Sequence, residues 1–109
     1  MSDGQGTKRH LLVVDDDPQI CRFLQRYLTS EGFDVTTALN GAEMREAMSA
    51  PGIELVILDL NMPGDDGLTL TRELRTESDV GIIILTGKEG SVERVVGLEL
   101  GADDYVSKP

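Results

Sequence analysis

Asp15 and Asp16 follow the apolar run 11–14, Asp59 follows the run 55–58, Thr86 follows 82–85, and Lys108 follows 105–107. Three carboxylates, a hydroxyl and an ammonium, each just past a short apolar stretch, suit a divalent cation and a phosphoryl group. Magnesium is a hard ion that takes oxygen ligands in octahedral geometry and keeps several waters. The nitrogen and sulfur donors that zinc prefers are missing from this set. Three close carboxylates repel one another, and a divalent ion between them removes that repulsion. A carboxylate held beside such an ion can attack an activated phosphoryl group to give an acyl phosphate. That transfer needs positioning and charge neutralisation more than acid–base help. Lys108 would pair with phosphoryl oxygens, Thr86 would donate to another, and Gly87 leaves room beside the acceptor.

These residues converge only if the apolar runs are parallel strands whose carboxyl ends share one edge of a sheet. In open α/β sheets that edge is where ligands bind. Short apolar runs alternate here with helical patterns, which predicts βαβ units around a parallel sheet. The runs at 11–14, 55–58 and 82–85 are wholly apolar, as strands covered on both faces must be. Val35–Ala38 carries two threonines and Tyr105–Ser107 is short and mixed, so both suit edges. The predicted order is 2-1-3-4-5, with the switch point between strands one and three, beside Asp15, Asp16 and Asp59.

The first helix has Asp17 as N-cap and Pro18 at its first position, with Ile20, Phe23, Leu24, Tyr27 and Leu28 at apolar spacing and Gly32 as its stop. The second is capped by Asn40 with Glu43 three residues on, close to a capping box, and shows Met44, Ala47 and Met48 on one face. A third runs from about Leu68 to Arg75, with Leu70, Thr71 and Leu74 inward. A fourth spans roughly Ser91 to Leu100, where valines and Gly97 make it the most easily displaced. Right-handed crossovers put helices two, three and four on one face and helix one on the other. A fifth helix after Pro109 should cover the rest of that second face, so the chain reads as truncated before it, or something else covers the bare apolar surface.

At 109 residues the chain is expected to be a polar, disordered lead-in over 1–9 and one domain over 10–109. Ten basic residues against twenty acidic ones give a net charge of −10, which works against nucleic-acid or anionic-membrane binding by this segment. Cys21 is the single cysteine, so no disulfide forms within the chain, and it reads as a semi-buried apolar helix residue. No apolar run approaches a membrane span and nothing resembles a signal peptide, so a cytoplasmic location is expected.

The runs LLVVDDDP, LVILDLNMPGDDGL, IIILTG and GADDYVSKP resemble the receiver domain of two-component response regulators, across about residues 10–109. The resemblance implies a flavodoxin-like receiver fold and Asp59 as phosphoacceptor. It implies Mg²⁺ held by the Asp16 and Asp59 side chains and the Asn61 carbonyl, with Asp15 helping through water. Thr86 and Lys108 match the family's phosphoryl-contacting pair, and Tyr105 its switch aromatic. GLELGADDYVSKP looks most like the branch that carries a winged-helix DNA-binding output domain, not present in this chain. The implied partners are a sensor histidine kinase and that output domain, with a homodimer compatible. Such a domain catalyses its own phosphorylation and dephosphorylation but does not turn over an external substrate. Phosphorylation of Asp59 would draw Thr86 inward, let Tyr105 turn, and repack the helix 4/strand 5 surface, and so control transcription.

Two other readings are weaker. A magnesium phosphatase with an aspartyl nucleophile needs a second aspartate two residues later, and position 61 is Asn. A non-phosphorylated module of the same fold would be expected to lack the acceptor or the metal acids, and all are present. The stretch 87–91 has neither P-loop nor dinucleotide spacing, and His10 stands alone at a strand start.

Overall fold

The computed structural model describes residues 8–64, 66–86 and 103–107. Its elements are β1 (His10–Val14), α1 (Pro18–Ser30), β2 (Asp34–Ala38), α2 (Gly41–Met48), β3 (Ile53–Asp59), α3 (Gly67–Glu77), β4 (Gly81–Thr86) and β5 (Asp104–Ser107). The five strands form one parallel sheet in the order β2-β1-β3-β4-β5, the predicted doubly wound arrangement. The fourth helix expected at about 91–100 lies outside the described residues.

Alternation along each strand divides the side chains between two faces. Leu12, Val14, Val56, Leu58, Ile82 and Ile84 point to one side and build the main core with Met44 of α2 and Leu70 and Leu74 of α3. The other side carries Leu11, Val13, Leu55, Ile57 and Ile83, and α1 packs there over β1 and β2. Beside α1 that face opens into an apolar groove of about 590 Å³. It is lined by Leu11, Leu28, Phe33, Leu55, Ile57 and Ile83, with Arg9 and Glu54 on its rim. Leu55, Ile57 and Ile83 on this face are half-buried.

The helix starts follow their caps. The Asp17 side chain accepts from the Gln19 N–H at 2.9 Å, ahead of Pro18. Asn40 accepts from the Glu43 N–H at 2.8 Å, while the Glu43 carboxylate reaches back one residue further than a capping box would, to the Leu39 N–H. Asp66 accepts from the Thr69 hydroxyl and the Leu68 N–H, which in that order lower the pKa of its carboxyl. Gly32, with φ of 99°, turns the chain out of α1 in a conformation open chiefly to glycine.

Two expectations for α1 need correction. Phe23 and Tyr27 do not face the sheet but are each 55% exposed, their rings stacked at 6.4 Å. The buried arc of α1 is centred on Cys21, Leu24 and Leu28, so the two aromatics, one turn apart beyond its edge, cover each other instead. Cys21 is fully buried rather than half-buried.

Candidate metal and phosphoryl site

Register brings the acids together. Val14 of β1 pairs with Leu58 of β3, so Asp15 and Asp59 each stand one residue past the same rung. Both strands point the same way, and both acids emerge at the same carboxyl edge of the sheet. The Asp15 N–H donates to the Ala38 carbonyl at 3.0 Å, and the Leu60 N–H to the Leu85 carbonyl at 3.3 Å. The ladder thus holds the backbone on each side of the crevice.

Asp15 and Asp59 are buried, whereas Asp16 is exposed. One carboxylate oxygen from each of the three lies within 4.8 Å of the others. The Asp15 carboxylate accepts from the Asp17 N–H at 2.9 Å, a short loop that leads into α1. The Asp59 carboxylate accepts from the Asn61 N–H at 3.1 Å. Like charges packed this closely at the rim of an apolar core favour a cation among them. An all-oxygen donor set fits a hard divalent ion such as Mg²⁺.

The segment after β3 is anchored so that it cannot drift. Leu60 and Met62 are buried, and Gly67, the first residue of α3, packs directly on the Leu60 backbone. A Cβ on Gly67 would lie 2.5 Å from the Leu60 Cα, so only glycine lets α3 approach this closely. Asn61 is exposed beside the acids. Thr86 is the last residue of β4, one residue past Leu85, which pairs with Asp59. Tyr105 lies on β5 opposite Ile84. The side chains of Thr86 and Tyr105, and all of Lys108, lie outside the described residues.

Cys21 was read from sequence as an ordinary apolar helix residue, yet it belongs to the support of the site. Its thiol donates to the Asp15 carbonyl at 3.2 Å. Burial first, and the nearby Asp15 charge second, push the thiol up to about 11, which keeps it a protonated donor. The one signal in the sequence was its place on the first turn of the helix that follows the acids.

A family model described as the response regulator receiver domain matches residues 11–109. The transcriptional regulatory protein AruR of Pseudomonas aeruginosa is 57% identical over 105 residues, covering 91% of this chain and 43% of that protein. The TorCAD operon transcriptional regulatory protein TorR of Escherichia coli is 48% identical over 100 residues, covering 92% of this chain and 44% of that protein. The chain thus spans less than half the length of these curated relatives. The crystal structure of the TorR receiver domain superposes with a TM-score of 0.87 at 48% identity, covering 93% of this chain and 84% of that one. That of TrrA from Thermotoga maritima, in complex with Mg²⁺ and BeF, gives 0.83 at 38% identity, covering 94% and 88%.

Proposed function

The chain belongs to the response regulator receiver domain family, and from that premise we propose that residues 10–109 form a signalling switch phosphorylated on Asp59. The observation that carries the proposal is the meeting of the Asp15, Asp16 and Asp59 carboxylates within 4.8 Å at the ends of neighbouring strands. Asp16, Asp59 and the Asn61 carbonyl would hold Mg²⁺, with Asp15 assisting through water. Bound there, the ion would neutralise phosphoryl oxygens as charge shifts between them.

In the transfer itself, an Asp59 carboxylate oxygen attacks the phosphorus of a phosphohistidine on a sensor kinase. The new P–O bond forms as the P–N bond breaks, and the imidazole leaves and takes up a proton. Burial of Asp59 and its bond from the Asn61 N–H fix the direction in which its carboxylate faces. That restriction is the entropic part of the rate advantage. Lys108 and Thr86 would bind the transferred oxygens. Thr86, drawn toward them, would free space for Tyr105 and change the surface around β5. A linked DNA-binding domain would read that change, within a cytoplasmic transcription regulator. The phosphate acts by adding charge and acceptor oxygens at one edge of the sheet.

Acetyl phosphate and Mg²⁺ should give a base-labile, hydroxylamine-sensitive mass increase of one phosphoryl group on Asp59, and Asp59→Asn should remove it. Thr86→Ala should keep the label and lose the accompanying change in the spectrum of β5. Labelling of Asp59→Asn at the wild-type rate would rule out the acceptor assignment.

A further inference from the structure

Asp16 differs from the other two acids of the cluster. Asp15 and Asp59 are buried against the core, whereas Asp16 is exposed, in the short link between the end of β1 at Val14 and the start of α1 at Pro18. A carboxylate on a free link would turn out into water. Yet one of its oxygens lies within 4.8 Å of an oxygen from each of the other two. The two peptide groups that flank Asp16 account for this, because a residue has only two soft backbone torsions and both are set once those two planes are held. The peptide after Asp16 is held by Asp15, whose Oδ1 accepts from the Asp17 N–H at 2.9 Å. The peptide before it is held by Cys21, whose thiol donates to the Asp15 carbonyl at 3.2 Å.

The same cysteine grips the far side of the link as well. Its N–H donates to the Asp17 carbonyl at 3.1 Å, the bond with which the N-cap residue opens the helix. Cys21 therefore holds a carbonyl on each side of Asp16, and the exposed acid keeps only its side-chain torsions. The thiol also lies 3.9 Å from the Ala38 carbonyl, which accepts from the Asp15 N–H at 3.0 Å. It stands where the ends of β1 and β2 meet α1. A thiol is a weak donor, but this one is buried, where no water competes for the carbonyl.

We propose that Cys21 is a positioning residue for the divalent cation: by holding the Asp15 carbonyl it fixes the backbone of Asp16 and aims that exposed carboxylate at Asp15 and Asp59. This rests on the reading of Asp16 as a metal ligand given above. It gives the cysteine a task in ion affinity, separate from the space it fills under α1.

The test titrates Mg²⁺ into the intact chain and follows its backbone amide resonances, which report the affinity of the folded protein whatever its stability. Cys21→Ala should weaken binding about tenfold, the low end of what losing a ligand's supporting partner costs, because the lost donor is a weak one. Cys21→Ser restores a donor and should recover most of the affinity. A role in packing alone would lower the urea midpoint of Cys21→Ala and leave its Mg²⁺ affinity at the wild-type value, and that result would overturn the inference. So would a Cys21→Ser chain that binds as weakly as Cys21→Ala. The decisive readout is non-additivity. Cys21→Ala should add little to Asp16→Asn, where no carboxylate remains to be aimed, and should keep its full effect beside Asp59→Asn. Equal losses in the two backgrounds would refute the aiming of Asp16. Should Cys21→Ala fail to fold, Cys21→Val, which fills the space without a donor, takes its place against Cys21→Ser. Wild-type affinity in Cys21→Ala beside a weakened Asp16→Asn sinks the positioning role alone. Wild-type affinity in Asp16→Asn sinks the reading of the metal site beneath it.

Discussion

Gly67→Ala places one methyl group where the structure has no room for it. The new Cβ would lie 2.5 Å from the Leu60 Cα, 2.8 Å from its carbonyl oxygen and 3.0 Å from its carbonyl carbon. Carbon atoms in contact sit about 3.5–4.0 Å apart, so the overlap is about an ångström against the Leu60 Cα and about half that against its carbonyl oxygen and carbon. A Cβ has no rotamer, so either the start of α3 or the segment after β3 must move. Overpacking of this kind costs about 1–3 kcal/mol. The gain of Ala over Gly in a helix interior is about 1 kcal/mol and is smaller at a first helical position. The net destabilisation is then of order 1–2 kcal/mol, or a downward shift of about 1–2 M in urea midpoint for a slope near 1 kcal/mol per molar. Leu60 directly follows Asp59, so the same displacement reaches the acceptor carboxylate. Labelling by acetyl phosphate should slow by about tenfold or more. Urea unfolding followed by far-ultraviolet circular dichroism, with the labelling rate measured on the same preparation, tests both effects. Gly81→Ala is the control, because its Cβ would crowd the Leu55 Cδ1 at 2.8 Å, the movable end of a flexible side chain, while the Glu54 carbonyl at 3.5 Å and the Asp103 Oδ2 at 3.9 Å lie at ordinary contact distance. A Gly67→Ala variant with the midpoint and labelling rate of the wild type would refute the argument that this close approach holds Asp59 in place.

Adding Mg²⁺ should raise the urea midpoint, since an ion bound only by the folded state stabilises it by mass action, and Asp16→Asn should abolish most of that rise. Arg45→Ala removes a two-point ion pair to Glu73, with bonds of 2.7 and 3.0 Å between α2 and α3. Half exposure of the arginine limits the loss to about 1 kcal/mol or less, measured as a change in urea midpoint. The Cys21 thiol should resist alkylation near neutral pH and react once the chain is unfolded. Because its pKa is raised from 9.0 to about 11, its contribution to stability is full below pH 9 and is lost as pH rises through about 11. Cys21→Ala should flatten that part of the stability–pH curve, and an unchanged curve would contradict the assignment.

The strands, their order and the acids at their ends were legible in the sequence because each rests on a local rule. Wholly apolar runs mark inner strands, threonines and short mixed runs mark edges, and a polar residue ending an inner strand must emerge at the sheet edge. The caps at Asp17 and Asn40 were equally local, since a cap is a matter of one side chain and the next three residues. What the tertiary structure decided depends on distance and on which side of an element meets a neighbour. Phe23 and Tyr27 have the spacing of a buried stripe, and only the docking of α1 through Cys21, Leu24 and Leu28 turns them outward. Cys21 gains its bond to Asp15 only from the docking of α1 against the end of β1, and Asp103 its grip on Ile82 from packing between segments 21 residues apart. Residue type and local pattern fix which groups reach the crevice; the separation of those groups, and the contacts that hold them there, exist only once the helices have settled on the sheet.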